Sequence, residues 1–154
     1  VAGGAFVGEH SFSRTLGAGR PSGADVGEMD VFAEHVAAKL VAGDTAPVTV
    51  GGCDPIRPYY TPRDRHGDSI NILKVKPKTD MTKCGGCGLC AARCPMGSID
   101  PADVSRVNGV CIKCGACVKG CPTGAKYFDD PGYLYHKSEL EEIYARPAKN
   151  ETFL

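Results

Sequence analysis

Tryptophan is absent from this 154-residue chain and aromatic residues make up only 7% of it, so no large aromatic-centred core can form. An excess of charge of either sign is also lacking, since 18 basic residues balance 18 acidic ones. That balance removes the general electrostatic case for nucleic acid or an anionic membrane surface as partner. No apolar run approaches the roughly 20 residues that span a bilayer, and the start has no basic region followed by an apolar stretch. Neither an anchor nor a secretion signal is read. A G-x-x-x-x-G-K-[ST] loop, a G-x-G-x-x-G turn opening a helix, and a convincing Ser-His-Asp or Cys-His set are missing too. His10, His35, His66 and His136 share no ligand spacing, and no chemistry is assigned to them. With no catalytic constellation visible, whether the chain is an enzyme stays open.

What the chain does have is 20 Gly, 11 Pro and 9 Cys, a composition for loops wrapped around something other than a large apolar core. Eight of the cysteines fall in two runs of identical spacing, Cys84-x2-Cys87-x2-Cys90-x3-Cys94-Pro95 and Cys111-x2-Cys114-x2-Cys117-x3-Cys121-Pro122. The second run repeats the first 27 positions on, so two similar half-modules are expected. Clustered thiols of this kind read as metal ligands in a reducing compartment, which places the protein in a cytoplasm. Three thiolates two residues apart can wrap one cubane if the backbone between them turns tightly, and Gly85, Gly86, Gly88 and Gly115 allow such turns. The fourth Cys of each run lies one short turn further on, before a proline that directs the chain away, and its thiolate reaches the neighbouring cluster. By that rule, which is the known behaviour of this run, cluster I takes Cys84, Cys87, Cys90 and Cys121. Cluster II takes Cys94, Cys111, Cys114 and Cys117. Structural zinc is the competing reading, but its C-x2-C pairs are usually separated by a longer loop.

Lys83, Arg93, Lys113, Lys119 and Lys126 lie near the runs, where about two negative charges per oxidised cubane outweigh them; tuning of potential is a better role for them than substrate binding. Tyr127 and Phe128 follow the second run, where core packing and shielding of a cluster are compatible roles. Cys53 stands alone and reads as a spare thiol.

Around the runs, residues 1–7 read as a short buried strand. Ser22 followed by Asp25 marks a helix start; Met29, Phe32, Ala33, Val36 and Leu40 form its apolar face, and Gly43 ends it. Residues 46–80, rich in proline and basic side chains, read as an extended linker with residues 70–75 as the best strand candidate. Its cations are expected to be a solvated tether rather than a docking surface. Ser138 with Glu141 has capping-box form, predicting a short helix whose Leu140, Ile143 and Tyr144 dock on the cluster module and which Pro147 stops.

Over residues 80–130 the sequence resembles the two-cluster bacterial ferredoxins, which implies a pseudo-twofold module of two hairpins and two short helices around two [4Fe-4S] clusters. Outside that region, residues 6–13 (Phe-Val-Gly-Glu-His-Ser-Phe-Ser), Gly19-Arg20-Pro21 and Tyr144-Ala145-Arg146-Pro147 resemble proteins that fuse a flavodoxin-like domain to such a ferredoxin. That resemblance implies that residues 1–43 are the last strand and helix of a flavodoxin-like domain. It also implies that FMN belongs to a longer parent, because no phosphate loop for it is found here. The opening residues look like the interior of a fold, and the chain is expected to be a fragment.

The resulting expectation is an α+β protein of four parts. Residues 1–45 form a partial flavodoxin-like strand and helix, 46–80 a linker, 81–130 the ferredoxin module, and 131–154 a C-terminal helix and tail. Low-potential one-electron transfer between redox donor and acceptor proteins is the expected function, without nucleic acid or membrane. Residues 1–43, with unpaired strand edges, are expected to dock, to be mobile, or to self-associate. Two rivals stand beside it: the electron relay of a flavin-dependent reductase, and a structural or sensing iron–sulfur module.

Overall fold

The computed structural model describes residues 1–154. In chain order its elements are strand β1 (Gly3–Ala5), helix α1 (Gly23–Val41), strand β2 (Lys78–Thr79), helices α2 (Leu89–Ala92) and α3 (Ala116–Lys119), strand β3 (Lys126–Tyr127), helix α4 (Pro131–Ile143) and strand β4 (Glu151–Phe153). Short helices beside two antiparallel strand pairs make this a small α+β protein. The chain divides into two compact units, one of Val1–His10, Thr15–Tyr60 and Tyr144–Leu154, the other of Ser11–Arg14 and Thr61–Ile143. No helix is long and apolar enough to cross a membrane.

In the first unit, β1 pairs antiparallel with β4, with Gly4 opposite Thr152. A strand is therefore present within residues 1–7, though Gly4 and Ala5 are exposed rather than buried as expected, and its partner is the segment Glu151–Phe153, which no local pattern announced. Glycine at position 4 lets the strand lie close to α1, since a Cβ there would meet the ring of Phe32, itself packed edge-on against Phe6 at 5.8 Å. Helix α1 begins as the sequence predicts: the Ser22 hydroxyl accepts from Asp25 N–H and the Asp25 carboxylate accepts from Ser22 N–H. Asp25 also pairs with Arg20 and accepts from Asn150 Nδ2 at 2.8 Å, and Asn150 Oδ1 in turn accepts from Val7 N–H at 2.9 Å. Arg20 beside it, then the Ser22 N–H, holds the Asp25 carboxyl well below the usual carboxylate range. The predicted apolar face is only half covered. Met29, Phe32 and Val36 are partly buried, Ala33 and Leu40 are exposed, and Asp25 is the helix's one buried residue.

The second unit is built around a sparse apolar core of Ile99, Cys117, Ala125, Phe128 and Tyr133. Strand β2 pairs with β3, with Lys78 opposite Tyr127 and Thr79 opposite Lys126, and an isolated bridge joins Ile99 to Val107. The strand expected at residues 70–75 does not form: Asn71 Oδ1 accepts from Leu73 N–H and Ile72 O from Val75 N–H, so this stretch turns, and the strand lies at 78–79. Residues 61–78 lie on the unit rather than hanging free. Arg65 N–H donates to the Tyr135 hydroxyl and its guanidinium to Glu142, Lys76 donates to Val107 O, and Lys78 pairs with Asp129 at 2.8 Å.

Helix α4 starts at Pro131, well before the expected Ser138, which sits mid-helix. The operative cap is Asp130, whose carboxylate accepts from Tyr133 N–H at 2.9 Å while Pro131 takes the first helical position, where a missing N–H costs nothing. Its buried face is correspondingly shifted. Tyr133 and His136 are buried, whereas Ile143 and Tyr144, expected on the docking face, are exposed.

Candidate metal centre

Helices α2 and α3 follow Gly88 and Gly115, which have left-handed backbones with φ of 70° and 73°. Each of these turns lies between the second and third Cys of its run and brings the two thiols to the same side. After the fourth Cys and its proline, Gly97 and Gly124 repeat the left-handed turn at φ of 57° and 66°. One position breaks the match: Gly86, at φ 70°, corresponds in the second half to Lys113, at φ 56°. That lysine is buried, and its ammonium donates to the carbonyls of Leu73 and Cys111.

These turns group the eight thiols around two cavities in the second unit. One is lined by Cys84, Cys87, Cys90 and Cys121, walled by Leu89, Val104 and Ala125. The other is lined by Cys94, Cys111, Cys114 and Cys117, walled by Ile99, Ile112 and Phe128. Each cavity thus draws three cysteines from one run and the fourth from the other. No three Cys, His, Asp or Glu side chains close around a single point as one bare ion would require. Soft thiol donors around an apolar space fit a cluster of several metal atoms, with the four sulfurs at its corners.

The fourth cysteine of each run sits among backbone donors. Burial pushes the Cys94 thiol up, but the N–H groups of Ser98, Met96, Ile99 and Gly97 outweigh it and hold the group below its ordinary value. Around Cys121 burial is again opposed, by the Thr123 hydroxyl and the N–H groups of Lys126, Thr123 and Ala125, and the thiol lies near about 7. Such donors favour the thiolate and, in iron–sulfur sites, are among the groups that set potential. Cys117 differs: burial pushes it up to about 11 against the pull of the Lys126 ammonium. Cys53 is exposed and belongs to the other unit.

Of the aromatic pair after the second run, Phe128 lines the cavity holding Cys94, while Tyr127 is partly exposed in β3. Phe128 stacks on Tyr133 at 4.2 Å, and Tyr133 meets Phe12 at 4.7 Å. Neither Tyr133 nor Phe12 carries a signal of this role in its local sequence. Beside Phe12, Arg14 donates to the carbonyls of Val118 and Lys119 at the end of α3, at 3.1 and 3.3 Å. Such a cation suits a helix C-terminus.

The Ser11 carbonyl packs directly over Gly115, where a Cβ would overlap it, whereas nothing lies within 4 Å of the corresponding point at Gly88. Alanine at Gly88 is therefore expected to cost only the backbone strain, about 1–2 kcal/mol. Alanine at Gly115 adds an overlap of roughly 1–3 kcal/mol. Denaturation midpoints of the two variants check this, and equal losses would contradict it.

Residues 83–126 match the family profile described as a 4Fe-4S dicluster domain. No curated protein matches the chain. The cysteine-bearing region is a 4Fe-4S ferredoxin-type domain, and a domain of that type implies iron–sulfur electron transfer.

Proposed function

We propose that the chain carries two [4Fe-4S] clusters, one on Cys84, Cys87, Cys90 and Cys121 and one on Cys94, Cys111, Cys114 and Cys117, and serves as a low-potential one-electron carrier. The observation that carries this reading is the partition of the eight thiols over two cavities, three from one run and one from the other in each. Pseudo-twofold duplication of the halves is part of it, supported by α2 and α3 following left-handed glycines at matching places.

Bound clusters supply one-electron chemistry without covalent catalysis by the protein. The chain binds them through thiolates, excludes water with Ile99, Phe128, Leu89 and Val104, and offers N–H groups to the sulfurs of Cys94 and Cys121. A reduced flavin held by a flavodoxin-like protein or domain is the donor we infer, and a redox protein the acceptor. The resemblance carried by residues 6–13, 19–21 and 144–147 supports that donor.

Anaerobically purified or reconstituted chain is expected to be brown and to hold about eight irons and eight inorganic sulfides. Dithionite should bleach its broad visible absorption and air-free reoxidation should restore it. Stoichiometric zinc without that absorption would end the reading. Irreversible loss of the clusters on reduction would instead favour a structural or sensing role.

A further inference from the structure

The internal repeat aligns Cys94-Pro95-Met96-Gly97-Ser98-Ile99 with Cys121-Pro122-Thr123-Gly124-Ala125-Lys126. In the first half the last residue of this stretch, Ile99, is 4% exposed and lines the cavity that contains Cys94. Its counterpart Lys126 is 2% exposed and lines the cavity that contains Cys121. Where one cavity has a buried isoleucine in its lining, the other has a buried lysine.

Lys126 is held in place at both ends. Its backbone is paired with Thr79 in the β2–β3 ribbon, and its Nζ donates at 2.5 Å to the carbonyl of Val104, which also accepts from the Thr79 hydroxyl at 3.1 Å. That hydrogen bond goes to a neutral carbonyl rather than to a carboxylate. An ammonium taken out of water is costly unless negative charge lies near it, and the Asp103 carboxylate is one such charge within its electrostatic reach. The cavity that Lys126 lines is the place for another: four thiolates and a cubane carry about two negative charges when oxidised and one more when reduced. Lys113, the other buried lysine, is turned to the Leu73 and Cys111 carbonyls and does not line either cavity.

We propose that Lys126 is the built-in counter-cation of the site formed by Cys84, Cys87, Cys90 and Cys121, raising that site's reduction potential above the value it would have with an aliphatic residue there. The inference rests on cluster binding as proposed above. Uptake of one electron from dithionite or an electrode adds one negative charge next to the ammonium, and no bond in the chain is made or broken. Attraction to the fixed cation is stronger in the reduced state, so reduction is favoured.

The test is a redox titration of the loaded full-length chain, followed by electron paramagnetic resonance, for wild type, Lys126→Gln, Lys126→Met and Lys126→Arg. Glutamine keeps a donor for the Val104 carbonyl without the charge, methionine removes both, and arginine keeps the charge. Gln and Met are expected to lower the reduced-to-oxidised ratio of one couple at fixed potential by about tenfold, equivalent to about 59 mV for one electron. The other couple should move in the same direction but less, since the Lys126 ammonium also lies within electrostatic reach of Cys117 of that site, and Arg should stay near wild type. Loss of that one cluster from both neutral variants, with its retention in Arg, would also support a counter-cation. Unshifted couples in fully loaded Gln or Met protein, or an equal change in Arg, would overturn the proposal. A wild-type chain that takes up no iron and sulfide would sink the underlying function as well, and so is told apart from failure of this inference alone.

Discussion

Replacing Cys94 with serine is expected to abolish the cluster whose other ligands lie downstream at Cys111, Cys114 and Cys117, and to leave the site of Cys84, Cys87 and Cys90 loaded. Iron content should fall by about half, because two four-iron groups contribute equally. Cys121→Ser should do the converse. The ground is that Cys94 lines the second run's cavity and Cys121 the first run's, each carried there by the turn that follows its proline. Double variants separate this from two self-contained four-cysteine sites. Cys94→Ser combined with Cys114→Ser should lose no more iron than either alone, while Cys94→Ser combined with Cys87→Ser should lose nearly all of it. The reverse pattern would show that each run serves its own cluster. Ligands shared in the proposed way would tie the halves together, and metal binding is also folding energy, so either single variant should lower the unfolding midpoint of the whole unit.

Tyr133→Ala is the second large effect expected. Tyr133 is 3% exposed and lies between Phe12 and Phe128, so truncation removes two ring contacts and leaves a void, at about 3–5 kcal/mol for loss of a buried aromatic. Tyr133→Phe keeps the ring and should stay within about 1 kcal/mol of wild type. Chemical denaturation reads the difference directly. Phe128 is the wall between this stack and the cavity of Cys94, so the alanine variant should also bleach faster in air than wild type. An alanine variant as stable as wild type would mean that α4 contributes little to the unit.

What the sequence made legible was local. The two cysteine runs, their glycine turns and the box formed by Ser22 and Asp25 each depend on residues within a few positions of one another; the box forms as expected, and Gly86, Gly88 and Gly115 take left-handed turns while Gly85 does not. The box at Ser138 and Glu141 misled because serine and glutamate are also tolerated inside helices, while Asp130 before Pro131 offered the stronger start. At residues 70–75 apolar alternation was overridden by turn chemistry at Asn71. Pairing of β1 with β4 and the stacking of Phe12 on Tyr133 join residues from opposite parts of the chain, and a contact of that kind leaves no periodic trace near either partner. Lys126 reads from the sequence as a nearby cation, but its burial depends on its pairing with Thr79 and on the carbonyl of Val104, both distant in the chain.

The placement of Ser11–Arg14 in the cysteine-bearing unit has a consequence for how the protein is made. The α3 carbonyls that receive Arg14 are translated 104 and 105 residues after it. At about 5–20 residues per second the nascent chain waits roughly 5–20 s before that clasp can close. The first thiol triplet is complete at Cys90, in the later part of that interval, and iron and sulfide delivered then would meet it before Cys121, its fourth ligand in the proposed assignment, has been synthesised. Cluster insertion at this site is therefore expected to be late, after translation has passed the second run.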